Sequence, residues 1–443
     1  MSAIAIHDWA ACDAATRRRL LARPQAGVGE EVLAGARAIV DAVRAEGDAA
    51  IRRYTARFDA VPLDRLDSLR VTPAGFCAAR ASLAPQELAA IERAIANVEA
   101  FHAAQRPAPL SIETMPGVRC EQQLRPIPAV GLYVPAGSAP LPSTVLMLAV
   151  PARLAGCPQR VLCTPPGRDG RANAAVLATA ALCGIDTVFT IGGAQAIAAL
   201  AYGTESVPKV DKIFGPGNAW VTAAKQIVGA DPMGAALDLP AGPSEVMVIA
   251  DDSAYADFVA ADLLAQAEHD PLAQAILVTD SHRLASDTVA EIRRQLPRLA
   301  RQQVLSASVA ALRVILVDGL DTAIEVANRY APEHLLLQAR EPRRLLGAIV
   351  NAGSIFVGPW SPEPMGDYCS GANHVLPTYG HARACSGLSL LDFIKRITVQ
   401  ELTAAGLAAL GPAAVTLAHM EGLDAHAAAV GLRLAALGHG RAA

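Results

Sequence analysis

The sequence predicts an α/β protein that contains two successive parallel sheets. From about residue 130, short β-rich apolar runs alternate with alanine-rich helical stretches, and the same alternation restarts at residue 246. Such alternation is typical of a parallel sheet that helices cover on both faces. Two sets of this kind predict two Rossmann-like units with a ligand cleft between them.

Each set predicts its own strands and helices. The first set gives strands at 130–134, 161–164, 188–191 and 213–214. The helices between and after them are predicted at 143–155, 172–183, 194–202 and 219–228. The second set gives strands at 246–250, 276–279, 314–317, 335–337 and 355–357.

The two ends of the chain predict helices rather than sheets. Residues 1–130 are mostly helical in pattern, with an amphipathic segment over 30–58 that Gly47 interrupts. Residues 358–387 form an irregular stretch with four prolines, which is typical of a functional loop or a linker. The remainder from Leu388 predicts helices that pack on another domain or another subunit.

Composition excludes several classes of protein. The 443 residues are 52% hydrophobic and 18% charged, with a net charge of −4 and no basic run, so a nucleic-acid-binding surface is not supported. The start of the chain has no basic region followed by an apolar core, and no apolar stretch is long enough for a transmembrane helix. The eight cysteines are scattered without Cys-x-x-Cys pairs, which favours reduced thiols in a cytoplasmic protein.

The first candidate site is the end of the helix predicted over 254–264, which Asp251, Asp252 or Ser253 can cap. Gln266 and His269 lie three positions apart at its end, so their side chains can converge on a metal. A plain helix end, with a histidine that interacts with the helix dipole, is the alternative.

A second candidate is the Glu333–His334 pair, which follows Pro332 and opens an apolar strand. The proline ends the preceding helix, so the pair lies at a helix-to-strand corner. A carboxylate beside an imidazole supplies a base and an acid whose charges tune each other's pKa. An ordinary surface corner is the alternative.

Further metal ligands are available in the loop and in the tail. Asp367 lies in the irregular stretch, and Glu421 and His426 lie near the end of the chain. Together with Gln266 and His269, Asp367 and His426 form a mixed oxygen and nitrogen set that suits Zn²⁺ or another first-row divalent ion. Their wide spacing does not by itself establish a site.

A partial phosphate-binding pattern follows the last strand of the first set. Gly215-Pro216-Gly217-Asn218 opens a helix, which is the context of a dinucleotide turn, but Trp220 stands where a third glycine is expected. The free N–H groups of the helix can still bind phosphate. Residues 192–195 make a second turn of this kind, and a plain strand-to-helix turn is the alternative for both.

Seven stretches resemble the histidinol dehydrogenase family, in the order in which that family has them. They are GLYVPAGSAPLPSTVLM (131–147), GGAQAIAALAYGTESVPKVDKIFGPGNAWV (192–221), AGPSEV (241–246), LLAQAEHD (263–270), APEHL (331–335), GDYCSGANHVLPTYG (366–380) and EGLDAH (421–426). The resemblance implies two incomplete Rossmann-like domains of aldehyde-dehydrogenase-like architecture, with small helical N- and C-terminal pieces.

The resemblance also implies a set of functional residues. One Zn²⁺ per subunit would be held by Gln266, His269, Asp367 and His426, and Glu333 and His334 would be catalytic. The implied substrate contacts are Ser244, Gln266, His269, His334, Asp367, Glu421 and His426. The implied NAD contacts are Tyr133, Gln195 and Asn218.

The implied organisation is a cytoplasmic homodimer with an exchanged tail, so that Glu421 and His426 complete the partner's site. The predicted division is a segment 1–24, a domain of 25–130 with 245–385 that carries most zinc and catalytic residues, an NAD-binding domain 131–244, and a tail 386–443. The implied reaction is the oxidation of L-histidinol to L-histidine with two NAD⁺. The rivals are another amino or sulfonated alcohol as substrate, or a non-redox zinc hydrolase.

Overall fold

A computed structural model describes residues 4–24, 29–61, 69–136, 140–240 and 242–438. Residues 137–139 and Ala241, which belong to two of the motifs quoted above, lie outside the described residues. The chain forms two compact units. The first consists of Met1–Gln105 with Ile127–Phe393, and the second consists of Arg106–Pro126 with Ile394–Ala443.

The N-terminal region is mostly helical, as predicted. Its elements are β1 (Ile6–Asp8), α1 (Ala14–Leu20), α2 (Glu30–Glu46), α3 (Asp48–Phe58), α4 (Pro73–Ser82) and α5 (Pro85–Ala103). Gly47 separates α2 from α3 with a φ of +57°, which confirms the predicted interruption. The strand β1 was not predicted, and it pairs in parallel with residues 314–316.

Two further strands contradict the helical prediction for residues 1–130. They are β2 (Leu110–Met115) and β3 (Val118–Pro126), which pair in antiparallel fashion. Most of their residues are exposed or half-buried, so the segment lacks the continuous apolar run that marked the other strands.

A five-stranded parallel sheet follows, with four strands at the positions predicted for the first set and a fifth, at Ala236–Leu237, that was not predicted. Its elements are β4 (Ala129–Tyr133), α6 (Pro142–Ala155), β5 (Gln159–Thr164), α7 (Ala174–Leu182), β6 (Thr187–Thr190), α8 (Gly193–Tyr202), β7 (Lys212–Phe214), α9 (Ala219–Ala230) and β8 (Ala236–Leu237). The strand order is β6-β5-β4-β7-β8. The helices α2 and α3 share a core with α8 and α9 on this sheet, which includes Ile39, Ile197 and Val221.

The second set forms a six-stranded parallel sheet in the order β1-β11-β10-β9-β12-β13. Its elements are β9 (Glu245–Ala250), α10 (Ala256–Ala267), β10 (Gln274–Thr279), α11 (His282–Gln295), α12 (Gln302–Ala310), β11 (Arg313–Leu316), α13 (Leu320–Tyr330), β12 (His334–Gln338), α14 (Pro342–Leu345), β13 (Ser354–Val357) and α15 (Glu363–Tyr368). Every residue of β9, β10 and β12 is buried, as expected of central strands covered on both faces.

The start of α10 corrects one prediction. Its N-cap is Tyr255, which makes no side-chain capping hydrogen bond, and not Asp251, Asp252 or Ser253. The Asp251 carboxylate instead accepts hydrogen bonds from the backbone N–H groups of Ser253 and Arg340, so it is used in the loop that precedes the helix.

The second unit combines a sheet with a helical hairpin. β14 (Ile394–Leu402) pairs with β3 to give the antiparallel order β14-β3-β2, and α16 (Ala404–Met420) packs against α17 (Asp424–Gly438). The tail was predicted to be helical throughout, so β14 is a correction. Its β-branched residues Ile397, Thr398 and Val399 favour a strand, but charged neighbours and exposure hide that preference in the sequence.

The fold class is confirmed as α/β with two parallel sheets, while the predicted domain boundaries remain predictions. All eight cysteines are free thiols. None of the helices that the structure describes is both long and apolar enough to cross a membrane.

Candidate active site and metal centre

The Glu333–His334 pair lies at a helix-to-strand corner, as predicted. The helix α13 ends at Tyr330 because Ala331 adopts a left-handed conformation, with a φ of +56°, directly before Pro332. His334 is then the first residue of β12, opposite Val246 on one side and Ser354 on the other. Both side chains of the pair are buried, with exposed fractions of 5% and 3%.

Backbone groups of Glu245, the first residue of β9, hold both members of the pair. The N–H of Glu245 donates to Glu333 Oε2 at 2.8 Å, and its carbonyl oxygen lies 3.0 Å from His334 Nδ1. Because a carbonyl oxygen only accepts, Nδ1 must carry the proton. In the neutral ring, the lone pair therefore lies on Nε2.

The electrostatics of the pair follow from its burial. Burial raises the pKa of Glu333 to about 8, since the low dielectric penalises the carboxylate. Burial also disfavours the charged form of His334, but the nearby carboxylates of Glu333 and Asp367 outweigh it and raise the pKa of the imidazole. The Nδ1–Oε2 distance within the pair is 3.6 Å.

A group of metal-binding side chains lies next to His334. One ligand atom from each of His269, Glu363 and Asp367 lies within 4.8 Å of the other two. Asp367 Oδ2 is 3.9 Å from His269 Nε2, and Asp367 Oδ1 is 3.7 Å from His334 Nε2. Asp367 thus connects the catalytic pair to the group that can hold a metal.

Glu363 was missed by the sequence analysis. It lies four residues before Asp367 on α15, so both carboxylates project from the same side of one helical turn. Two prolines flank Glu363, and the segment was therefore interpreted as irregular. The i, i+4 spacing of two acids was the signal that could have identified it.

Several buried polar atoms of Glu363 and of the predicted site residues have no hydrogen-bond partner among the described residues. They are both amide atoms of Gln266, both carboxylate oxygens of Glu363, and Nε2 of His334. Buried polar groups are normally paired, because an unpaired one costs about 1–3 kcal/mol. Imidazole, carboxylate and amide oxygen donors suit Zn²⁺, so the residues present fit this metal.

The ionisation of Asp367 also suits a metal ligand. Burial alone would raise the pKa of this carboxyl, but the nearby imidazole of His334 outweighs burial and lowers the pKa well below its usual range. The carboxylate is therefore ionised, as metal binding requires. His374 Nδ1 donates to the Asp367 carbonyl oxygen at 2.7 Å, and its Nε2 lies 3.3 Å from Thr144 Oγ1 on α6, which fixes the segment.

Three predicted substrate or metal residues remain, namely Ser244, Glu421 and His426. Ser244 is half-buried and directly precedes Glu245 at the start of β9. Glu421 and His426 belong to the second unit, and both are exposed. Their roles as ligands remain predictions.

The predicted NAD contacts lie at the carboxyl ends of strands in the five-stranded sheet. Tyr133 is the last residue of β4. Its hydroxyl accepts a hydrogen bond of 3.1 Å from the N–H of Gly193, at the start of α8. Gln195 is buried, and its Oε1 has no hydrogen-bond partner within the described part of the chain. Asn218 caps α9 by accepting the N–H groups of Trp220 and Val221, each at 3.1 Å.

The turn before Asn218 is held by a buried ion pair. Lys225 pairs with Asp238 and donates to the carbonyl oxygen of Gly215 at 3.0 Å, while Asp238 Oδ2 accepts the Gly215 N–H at 2.7 Å. Gly215 has a φ of +117°, and an added Cβ would lie 2.0 Å from the carbonyl oxygen of Tyr133. The glycine therefore permits a close approach of two strand ends.

The two parallel sheets, with an imidazole–carboxylate pair beside a group that could hold a metal, are typical of an α/β enzyme. Residues 22–434 match the sequence model of the family described as Histidinol dehydrogenase. The chain belongs to the histidinol dehydrogenase family.

Individual relatives agree with this assignment over nearly the whole chain. Histidinol dehydrogenase of Vibrio vulnificus (strain CMCP6) is 52% identical over 426 residues, which cover 96% of this chain and 97% of the relative. That of Escherichia coli O157:H7 is 51% identical and covers 99% of each chain. The crystal structure of histidinol dehydrogenase from Elizabethkingia anophelis has a TM-score of 0.93 at 43% identity, with 98% of each chain covered.

Proposed function

We propose that this protein oxidises L-histidinol to L-histidine in two successive steps, with an aldehyde between them and one NAD⁺ reduced in each step. The observation that carries the proposal is the buried Glu333–His334 pair, whose Nε2 side faces Asp367 of the metal-binding group. Membership of the histidinol dehydrogenase family supports the choice of substrate.

The metal would be held by Gln266, His269, Asp367 and His426. The cofactor would be contacted by Tyr133, Gln195 and Asn218. Bound Zn²⁺ supplies a Lewis acid that orients the substrate's imidazole and amine, and bound NAD⁺ supplies the hydride acceptor. Ser244, which directly precedes Glu245, would add a hydroxyl contact to the substrate.

In its neutral form, His334 would act as the general base of the first step. Its Nδ1 proton is directed to the Glu245 carbonyl oxygen, so Nε2 takes the alcohol proton as the hydride leaves the carbinol carbon. His334 then releases this proton to solvent. In the second step, it takes the hydroxyl proton of the hydrated aldehyde as a second hydride leaves for NAD⁺, and the product is the carboxylic acid.

Glu333 would activate the water that hydrates the aldehyde. Its Oε2 is fixed by the Glu245 N–H, and its raised pKa makes the carboxylate a stronger base than an exposed one. A water-based route requires no thiol, which agrees with cysteines that lie outside the proposed ligand set.

One assay tests this function against its rivals. Purified protein is mixed with L-histidinol and NAD⁺, and NADH is followed with and without a chelator. We expect two NADH per histidinol, and we expect the chelator to abolish the signal and added Zn²⁺ to restore it. The absence of NADH would refute the proposal. A higher rate of NADH formation with another amino or sulfonated alcohol would show that this alcohol, and not L-histidinol, is the preferred substrate.

We also propose a cytoplasmic homodimer in which Glu421 and His426 complete the partner's site. The apolar side chains of Leu417, Met420 and Leu423 in this tail are exposed by 58%, 77% and 40%, which supports a covering partner. The test is a mixed dimer of His426→Ala subunits with subunits that carry Gln266→Ala and His269→Ala.

In such a mixed dimer, one site would contain all four proposed ligands and the other none of the three that are substituted. We expect about half of the wild-type activity per dimer, although each homodimer alone is inactive. Intact mixed dimers without activity would contradict the shared site. The matched control is His419→Ala, since His419 is also an exposed histidine of the tail.

A further inference from the structure

The guanidinium of Arg23 connects the N-terminal segment to the start of β9. Its Nε and Nη2 donate to the two carboxylate oxygens of Glu245, and the Nη2–Oε2 distance is 2.8 Å. The Glu245 side chain is fully buried, and that of Arg23 is 13% exposed. A two-point pair of this kind fixes direction as well as distance, because both groups are planar.

The main chain of Glu245 is the support of the catalytic pair. As described above, its N–H binds Glu333 Oε2 and its carbonyl oxygen lies next to His334 Nδ1. The Glu245 side chain therefore anchors the residue whose two flanking peptide groups contact the catalytic pair, one peptide for each catalytic residue. The only other group bound to that side chain among the described residues is the Tyr379 N–H, which donates to Oε1 at 3.0 Å.

Arg23 also holds the corner from which the catalytic pair projects. Its Nη2 lies 2.9 Å from the Tyr330 carbonyl oxygen and 3.3 Å from that of Ala331. These carbonyls are at the end of α13, where no helical partner is available to them. The guanidinium carbon also lies 3.9 Å from the Tyr330 ring centroid.

The hydrogen bonds of Arg23 to Glu245 and to the end of α13 both restrain the position of the catalytic pair. Through Glu245, Arg23 fixes the groups that bind Glu333 and His334, and through the end of α13, it fixes the backbone that carries them. Lysine cannot replace these contacts, because its ammonium lacks the planar fork of five donors. The ligand residues Gln266, His269 and Asp367 are not contacted by the Arg23 hydrogen bonds.

We propose that Arg23 is a positioning residue, which holds Glu333 and His334 in their reactive orientation through Glu245 and the end of α13. The proposal rests on the proposed function and deepens it. It assigns a role in both oxidation steps to a residue that is separated from Glu245 by 222 positions in sequence.

The test uses zinc-loaded Arg23→Lys, with Arg313→Lys as the matched control. Arg313 is a part-buried arginine on β11, in the sheet that contains Glu245. It donates to the Leu20 carbonyl oxygen and makes no hydrogen bond to Glu333 or His334 among the described residues. L-histidinol and L-histidinal are oxidised separately. We expect kcat of Arg23→Lys to fall about tenfold to a hundredfold with both substrates, because small misplacements have effects of this size.

The KM values and the zinc content should stay within about twofold of the wild type, because substrate and metal ligands are not moved. Methylguanidinium should restore part of the lost kcat of Arg23→Ala but not of Glu333→Gln. An unchanged kcat of Arg23→Lys would overturn the proposal, and so would a raised KM at constant kcat. If Arg23→Lys does not fold, Glu245→Gln, which keeps the side-chain volume, must show the same loss of kcat.

A crystal structure of Arg23→Lys gives a readout that does not depend on turnover. We expect Glu333 Oε2 and His334 Nδ1 to leave the Glu245 main chain, whereas Arg313→Lys keeps both contacts. Retention of both contacts in Arg23→Lys would overturn the proposal. An inactive wild-type protein would refute the proposed function alone, because this structural outcome would still decide the role of Arg23.

Discussion

The two parallel sheets present their candidate functional residues at opposite edges. In the five-stranded sheet, Tyr133, Gln195 and Asn218 lie at or just after the carboxyl ends of β4, β6 and β7. In the six-stranded sheet, Ser244, His269 and His334 lie at or just before the amino ends of β9, β10 and β12. The candidate residues therefore follow the rule that ligands bind at carboxyl ends in only one of the two sheets.

The direction of the helix dipole explains why the two edges suit different ligands. The helices α8 and α9 begin at the carboxyl edge, where their N-terminal N–H groups favour anions such as a pyrophosphate. The helices α10 and α13 end at the amino edge, where C-terminal carbonyls favour cations. Each helix end contributes about 0.3–1 kcal/mol, which adds to the effect of the acidic side chains around His269 and His334.

Glu333→Gln is expected to have the largest effect among the variants that alter one edge and leave the other unchanged. The amide oxygen can still accept the Glu245 N–H, so the fold is kept, but the side chain no longer acts as a base. We expect oxidation of L-histidinal to slow by about 10²–10⁴-fold, and oxidation of L-histidinol to the aldehyde to slow by less than about tenfold. Single-turnover kinetics with each substrate measure the two steps.

The KM for NAD⁺ should not change in Glu333→Gln, because the variant affects the amino edge alone. Glu341→Gln, which alters an exposed carboxylate, serves as the control. Equal losses in both steps would assign Glu333 to general positioning rather than to the activation of water.

A smaller effect, with the opposite pattern, is expected from Asn218→Ala at the carboxyl edge. The KM for NAD⁺ should rise about three- to tenfold, as expected for the loss of one or two hydrogen bonds, whereas zinc content stays the same. The free energy of unfolding should fall by about 1 kcal/mol, because the variant also removes the cap of α9.

Asn173→Ala is the matched control for Asn218→Ala. Asn173 caps α7 with the same pattern, by accepting the N–H groups of Ala175 and Val176. It should lose a similar amount of stability with no change in the KM for NAD⁺. An equal rise of KM in both variants would mean that the cap, and not the cofactor contact, accounts for the effect.

The sequence was sufficient to predict most strands of the two parallel sheets, but it was insufficient to predict the antiparallel sheet. Strands such as β9 and β12 are continuous apolar runs between helices, so a local pattern identifies them. The strands β2, β3 and β14 are mostly exposed, and β14 pairs with a segment more than 260 positions away. A pairing across that distance leaves no local pattern.

The same distinction applies to the candidate site. Glu333, His334 and Asp367 lie within motifs that can be matched along the sequence. The contacts of Arg23 with Glu245, and of His374 with Thr144, join residues 222 and 230 positions apart. Such contacts depend on the packing of distant segments, so they became visible only in the structure.

A prediction about stability alone concerns a buried acid on the helix that leads to the amino edge. Asp262 on α10 is 5% exposed, and the Gln338 amide donates to its Oδ2 at 3.5 Å. Burial raises the pKa of Asp262 to about 7, so the folded state binds this proton more tightly than the unfolded state does. The resulting stability is full below the unfolded pKa of about 3.9 and is lost as the pH rises towards 7.

Asp262→Asn removes this titration while keeping the size of the side chain. Relative to the wild type, we expect the free energy of unfolding of the variant to increase on the order of 2 kcal/mol between pH 5 and pH 8, as measured by urea denaturation. Asp257→Asn on the same helix is the exposed control, and it should follow the wild type. If Asp262→Asn also followed the wild type at both pH values, then α10 would bury no unfavourable charge.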